Sequence, residues 1–297
     1  MACYHPIIMY RSRTGRNPKT GKWPLVLNPS QGYSDLEVVV PCGKCIGCRL
    51  DKSREWSIRC VNEASLHDKN CFITLTYDDD HLPADGSLRV DHFQKFMKRL
   101  RWHSDVPIRF LHCGEYGAKN GRPHYHAILF GYDFDDKYFF FRRRGHNVFR
   151  SPTLEKLWPY GICSVGEVTY DSCAYVARYT LKKIKDTKEY EAEGLKPPYI
   201  TMSRRPGIAS EWLDKYGSEV KANNFVFFKG FKNKVPRYYR EKLALTDPVY
   251  YAKIKVAPAR RYIALLDKQY SEKIDAYRLA VKERLKLKQV KRLVRYL

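Results

Sequence analysis

The run IRFLHCGEYGAKNGRPHYHAILFGY, residues 108–132, decides the fold. Residues 108–116 and 124–132 are rich in β-branched and aromatic side chains, and GAKNGRP between them, with its glycines and Asn120, favours a hairpin-like loop. Two strands joined this way pair antiparallel. Working outward, CFITLTY at 71–77 reads as a strand closed by Asp78, Asp79 and Asp80, with a turn around Pro83 to Gly86. In DHFQKFMKRLRW, 91–102, Phe93, Phe96, Met97 and Leu100 fall at i, i+3, i+4 and i+7, so this stretch is an amphipathic helix with a basic outer face. ICSVGEVTY, 162–170, reads as a further strand before the helical DSCAYVARYTLKKIK. Strand, helix, strand, strand, strand, helix predicts an α+β fold, a central antiparallel β-sheet flanked by helices.

The flanks differ in character. Residues 10–35 are dense in turn formers and basic side chains and read as an extended or looped arm; the Cys-rich PCGKCIGC follows, then a helix from Asp51 to about Leu66 carrying Trp56, Cys60, Val61 and Ala64 on one side. Residues 133–160 hold an aromatic and arginine-rich insertion, YFFFRRRGHNVFR. Two readings of it stand: a surface that stacks single-stranded bases, or a hydrophobic hairpin pinned to the core. Residues 251–297 carry 14 Lys/Arg against 4 Asp/Glu on a helical pattern. The expected organisation is a basic arm and Cys-rich knuckle at 1–50, a central domain at 51–190 and a basic, mainly helical region at 191–297.

The chain has 297 residues, 44% hydrophobic and 14% aromatic, enough to fill a core. Lys and Arg number 55 against 32 acidic residues, and the resulting +23 calls for a polyanionic partner, nucleic acid before an anionic membrane. The longest apolar runs, such as Ile7 to Tyr10 and Phe139 to Phe141, fall far short of the roughly 18 residues a membrane span needs, and the N-terminus has no signal-peptide layout. A soluble intracellular protein is the expectation. Nine cysteines, three of them at Cys42, Cys45 and Cys48, suit metal ligation better than a secreted disulfide framework.

Chemistry concentrates in two places. His124 and His126 are two apart in a strand, so both imidazoles point to one face. The pair alone is as consistent with a structural role. Glu115, near the end of the preceding strand, comes alongside them in a hairpin, and two imidazoles with one carboxylate leave open positions on a divalent cation, magnesium or manganese, for water and phosphate oxygen. The second place is YVARYTLKK, 175–183, where Tyr175 and Tyr179 sit one helical turn apart, each followed three residues on by a cation, Arg178 and Lys182. Ordinary aromatic packing is the competing reading. A phenol with a pKa of about 10 becomes a useful nucleophile only beside positive charge or a polarised phosphorus.

The ordered set FITLTY (72–77), Glu115 with RPHYHAILFG (122–131), and YVARYTLKK (175–183) resembles the three motifs of HUH-type rolling-circle replication initiators. Within them the chain is similar to the two-tyrosine initiators of microviruses, the gokushovirus branch, and PCGKCIGCRLDKSREWSIRC extends the likeness towards the N-terminus. The resemblance implies an HUH endonuclease-like fold. It makes His124, His126 and Glu115 the ligands of Mg2+ or Mn2+, Tyr175 and Tyr179 the nucleophiles, and Arg178 and Lys182 the basic groups beside them. Arg178 stands where a lysine is usual; arginine keeps the charge but does not give up a proton, so acid–base work there is in doubt, whereas Lys182 retains it.

The same resemblance implies nicking and rejoining at an origin in circular viral DNA, single- and double-stranded, in the host bacterial cytoplasm. No G-x-x-x-x-G-K-[ST] loop occurs, so host helicase and polymerase are the expected partners, and no membrane is. Lys183, Arg142, Arg143 and Arg144 are candidate DNA contacts. Cys42, Cys45 and Cys48 are candidates for a structural Zn2+ with a fourth ligand from Cys3, His5 or Cys60, against simply reduced thiols. The competing function is a non-enzymatic DNA-binding or genome-packaging protein, for which charge alone suffices.

Overall fold

The computed structural model describes residues 3–18, 21, 23–117, 120–143, 145–179, 187–228, 230–250, 252 and 276–295. The chain divides into two compact units, Met1–Lys52 with Asp267–Leu297, and Ser53–Leu266.

The larger unit is built on seven strands: β4 (Asn70–Thr76), β5 (Arg109–Tyr116), β6 (Pro123–Phe130), β7 (Tyr138–Arg143), β8 (His146–Arg150), β9 (Cys163–Gly166) and β10 (Tyr199–Met202). They lie in the order β10-β5-β6-β4-β9-β8-β7, every pairing antiparallel. The expected antiparallel sheet flanked by helices is therefore present. Both faces of its centre are covered. On one face α2 (Val90–His103) and α3 (Pro152–Leu157) bury Phe93, Phe96, Met97, Leu100 and Leu154 against Ile73, Leu75, Tyr125 and Leu129. On the other, α1 (Ile46–Ala64), α4 (Tyr170–Tyr179), α6 (Ser210–Asn223) and α7 (Arg237–Thr246) bury Ile58, Cys60, Val176, Leu213 and Tyr239 against Leu111, Cys113, Ile128 and Phe130. Each such side chain contributes about 1.5–3 kcal/mol on leaving water. Burial on both faces explains why β6 shows no clean alternation between apolar and polar residues.

Several segments depart from the local reading. The helix expected from Asp51 begins at Ile46, inside the Cys-rich run. The strand expected over 162–170 stops at Gly166, because Thr169 and Ser172 cap α4 reciprocally: Thr169 N–H donates to Ser172 Oγ at 2.8 Å and Ser172 N–H to Thr169 Oγ1 at 3.1 Å. Short α5 (Thr187–Ala192) precedes β10, which adds an edge to the central sheet, and β11 (Phe225–Phe228) pairs with β12 (Phe231–Lys234). Gly161, at φ +141°, lets the start of β9 approach β4; a Cβ there would meet Asp78 N at 2.2 Å.

Buried Glu63 ties the layers together. Its carboxylate accepts from Arg109 of β5 and from the N–H of Ala209 ahead of α6, so the charge is paired and hydrogen-bonded.

In the smaller unit the arm expected as loop holds a three-stranded antiparallel sheet, β1 (Ile7–Ser12), β2 (Leu25–Val26) and β3 (Gly32–Val40), in the order β2-β1-β3. Its side chains are mostly exposed, so hydrophobic patterning gave no sign of it. Helix α8 (Ala276–Arg295) is the basic C-terminal helix, and Glu283 meets His5 at 2.6 Å. No helix among the described residues is long and apolar enough to cross a membrane.

His112 of β5 is wholly buried, stacked on Phe93, with Nδ1 2.9 Å from Thr201 Oγ1 and no partner for Nε2 among the described residues. Burial holds its pKa well below the ordinary value. Below pH of about 6.5 the unfolded chain binds a proton here that the folded chain refuses, so this site removes stability as pH falls. Between pH 7 and 5.5 urea unfolding should lose about 1 kcal/mol from this group, a slope that His112→Asn removes; an unchanged slope in the variant would refute the assignment.

Candidate metal and nucleophile site

Register builds the site. Glu115 of β5 lies directly opposite His124 of β6, and Cys113 opposite His126, so Glu115, His124 and His126 share one face at adjacent rungs. Both Nε2 atoms aim at one oxygen: His124 Nε2 is 2.9 Å and His126 Nε2 3.0 Å from Glu115 Oε1. Glu115 and His126 are buried, with 5% and 6% of the side chain exposed, while His124 at 17% forms the open side.

The outer nitrogens are held too. His124 Nδ1 is 3.0 Å from the Arg122 carbonyl, which can only accept, so Nδ1 carries the proton. With Nδ1 so engaged, Nε2 can meet the Glu115 oxygen in two ways, as a donor when the ring carries a second proton or across a cation held between them. Thr74 of β4, paired with His126 across the strands, places Oγ1 3.0 Å from His126 Nδ1. Burial pushes the Glu115 carboxyl up, but the hydrogen bonds from His124 and His126 outweigh it and hold the carboxyl below its usual value. Cis ligands on an octahedral ion with bonds of about 2.1 Å are about 3 Å apart, the spacing from each imidazole to Oε1 here. These three residues form a group able to hold a metal ion.

Tyr175 of α4 joins this group. Its ring stands edge-on to His126, centroids 5.0 Å apart, and edge-on to Phe72 at 6.2 Å, while Phe72 stacks on His126 at 5.6 Å. Arg178 and Tyr179 lie in the last turn of α4; their side chains, and residues Lys182, Lys183 and Arg144, lie outside the described residues. Arg142 and Arg143 are on exposed β7. Thr74 and the Arg122 carbonyl went unassigned in the sequence, although Thr74 sits in FITLTY at even spacing from Phe72.

A second cluster gathers Cys3, Cys42, Cys45 and Cys48, whose sulfurs all lie within 4.8 Å of one another. Cys42 and Cys48 sulfurs are 4.0 Å apart, as are those of Cys3 and Cys45, close to the edge of a tetrahedron around an ion with bonds of about 2.3 Å. Gly43, at φ +72°, turns the chain between the ligands, and the early start of α1 brings Cys48 back to the group. Backbone N–H groups of Tyr4, Cys42 and Cys45 donate to Cys45, Cys3 and Cys42 sulfurs at 3.2–3.3 Å. Burial raises the Cys42 thiol, yet the N–H groups of Cys45 and Lys44 bring it down to about 7; burial pushes Cys3 and Cys48 up. Four thiolates this close cannot all ionise without a cation. Cys3 is thus the fourth member, while Cys60 packs in the core against Cys173 and His5 pairs with Glu283.

The family model for replication-associated proteins of the ORF2 type matches residues 70–184, which span Thr74, Glu115, both histidines and Tyr175. Over 230 residues the chain is 35% identical to replication-associated protein VP4 of Bdellovibrio phage phiMH2K, covering 73% of this chain and 72% of that one. The chain belongs to the replication-associated protein family. It is 37% identical over 218 residues to replication-associated protein ORF2 of Spiroplasma virus 4, covering 69% and 67% of the two chains. It is also 32% identical over 213 residues to replication-associated protein ORF4 of Chlamydia phage 1, covering 69% and 53%. No solved structure matches it.

Thr74→Val keeps the shape but removes the oxygen that orients His126. Calorimetric titration with Mn2+ should show affinity about 10–100-fold weaker than the parent, with Thr74→Ser close to the parent. Equal affinity for the valine variant would sink the orienting role.

Proposed function

We propose that this replication-associated protein starts rolling-circle replication of a circular viral genome by nicking the origin through a tyrosine and later rejoining the ends. The observation that carries the reading is the aim of both histidine Nε2 atoms at Glu115 Oε1 with the Tyr175 ring against His126. Charge alone would suit a DNA-coating protein, but gives no reason to gather two imidazoles and a carboxylate on one oxygen beside a tyrosine ring.

Phosphodiester transfer then follows from named groups. Glu115, His124 and His126 would hold a divalent cation, Mg2+ or Mn2+, which would supply positive charge to the phosphate oxygens as negative charge builds on them. Two imidazoles favour manganese over magnesium, which prefers oxygen. Tyr175 is the candidate for the first attack: its oxygen bonds to phosphorus, the bond from phosphorus to the 3′ oxygen breaks, the phenol gives up its proton and the 3′ oxygen takes one. A free 3′-hydroxyl and a 5′-phosphotyrosine result. The ester energy is kept in that link, so rejoining needs no nucleotide. After a host polymerase and helicase carry the 3′ end round the circle, Tyr179 is the candidate to cut the regenerated origin. The released 3′-hydroxyl attacks the first link and closes a single-stranded circle. This work belongs in the host bacterial cytoplasm. Lys182 is the group suited to proton transfer, and Arg178, Lys183 and Arg144 to phosphate contact.

For the second cluster we infer Zn2+ on Cys3, Cys42, Cys45 and Cys48, a structural ion pinning the chain start to the head of α1.

With a supercoiled origin circle and Mn2+, the parent should form a covalent protein–DNA adduct that survives denaturation. The double change Tyr175→Phe with Tyr179→Phe should abolish it, and mass spectrometry should find the nucleotide on one of these tyrosines. Nicking that persists in the double variant would overturn the assignment. For the knuckle, purified protein should carry about one zinc per chain, lost in Cys42→Ser together with a lower melting temperature. Metal-free protein that melts with the parent would refute it.

A further inference from the structure

Strand β7 is the outer edge of the central sheet and every one of its residues is exposed. Tyr138, Phe139, Phe140 and Phe141 are 50%, 58%, 51% and 40% exposed, an unusual concentration of bare aromatic rings. The register says which way they face. Phe149 of β8 pairs with Val165 of β9, whose side chain lies in the core on the α2 side, and Phe139 pairs with Phe149. A bulge leaves Phe140 unpaired and sets Phe141 opposite Val148, with Tyr138 opposite Arg150 and Arg143 opposite His146. Because paired residues share a face, Tyr138, Phe141, Arg143 and Arg150 lie on the sheet face that carries Glu115, His124 and His126. Strict alternation would have sent Phe141 to the opposite face. The Phe140 ring lies with that of Phe141, centroids 5.1 Å apart, while the Arg150 guanidinium turns to Glu155 of α3 at 2.6 Å.

We propose that Tyr138, Phe140, Phe141 and Arg143 form a stacking platform for single-stranded DNA, continuing the path of the strand that the metal and tyrosine site cuts. The inference rests on the nicking reading for its substrate class. Every base has a π-face, and aromatic rings and guanidinium planes stack on bases without reading their sequence, while neighbouring cations take the phosphates. Among the described residues Arg142 and Arg143 make no ion pair, so their charge is available to phosphate. The other natural occupant of a bare edge strand is a second copy of this chain. Such a copy would bring Arg142 and Arg143 against their own equivalents, in a chain already at +23, whereas DNA brings the opposite charge. Four inter-strand steps separate β6 from β7, about 19 Å, so the platform grips the strand several nucleotides from the scissile phosphate.

The test is binding of the full-length protein to a labelled oligodeoxythymidine of about 16 nucleotides and to a blunt duplex, with a chelator present so that no cleavage enters. Phe140→Ala with Phe141→Ala should weaken single-strand binding about 10–100-fold, leave the salt slope and duplex binding as in the parent, and be restored by Phe140→Tyr with Phe141→Tyr. Arg142→Ala with Arg143→Ala should flatten the slope of log affinity against log salt by about 1.4. Single-strand affinity unchanged by the alanine pair, in protein that melts as the parent does, overturns the platform. So does a parent dimer in sedimentation that the alanine pair dissolves without loss of DNA affinity, which assigns the edge to a second copy. A missing covalent adduct would count against the nicking reading alone, since this readout needs neither metal nor tyrosine.

Discussion

The cross-strand pair of Glu115 and His124 is the contact on which the rest depends. It fixes the register of β5 on β6, and a slip of one residue would turn Glu115 to the face where Phe93 and Phe96 pack, leaving both imidazoles without a carboxylate. Both strands are buried on both faces, so a slip would also misplace Leu111, Cys113, Ile128 and Phe130. Packing and chemistry therefore enforce the same alignment. The next strand extends the logic: Thr74 of β4 pairs with His126 and holds its far nitrogen. Three neighbouring strands thus supply the two histidines, their carboxylate and one orienting hydroxyl from backbone positions that the sheet makes rigid.

Two buried glutamates show how a structural acid differs from one set to hold a metal. Glu63 receives the Arg109 guanidinium and the Ala209 N–H, so its charge is balanced within the protein. Among the described residues Glu115 meets the two imidazoles, and His124 is already committed through Nδ1 to a carbonyl. A balanced acid has nothing to offer a cation, whereas Glu115 with its two histidines is a group able to hold one. The cysteine cluster has the same character, with sulfurs too close to ionise together.

The hairpin, the paired histidines and the strand 71–77 were legible because each is local: alternation, a glycine-rich loop and a side-chain period of two. Phe93, Phe96, Met97 and Leu100 face the core as their spacing requires. What the sequence hid depends on distant partners. β10 is a strand because β5 offers an edge, and β1 and β3 pair across a loop with little buried surface to pattern them. The early end of β9 was legible in principle, since Thr169 and Ser172 stand at capping spacing, but the β-branched run before them read as strand. The bulge at Phe140 has no local signal, although it decides which aromatic side chains share the face of the site.

Arg122 shows how the loop between β5 and β6 is held in a chain so rich in cations. Its carbonyl fixes His124, while its guanidinium donates to the Tyr77 carbonyl at 2.9 Å and pairs with Asp79, just beyond β4. One residue thus clamps the entry of β6 to the exit of β4, the two strands that carry His126 and Thr74. An acidic run, Asp78 to Asp80, follows β4 directly; Asp79 is engaged by Arg122 and Asp78 by His81, while Glu115 is the carboxylate turned towards the two histidines. Two carboxylates at the rim thus sit on basic partners, and the one buried carboxylate of the site is left to the two imidazoles, a side-chain set on this strongly positive chain that is able to hold a cation.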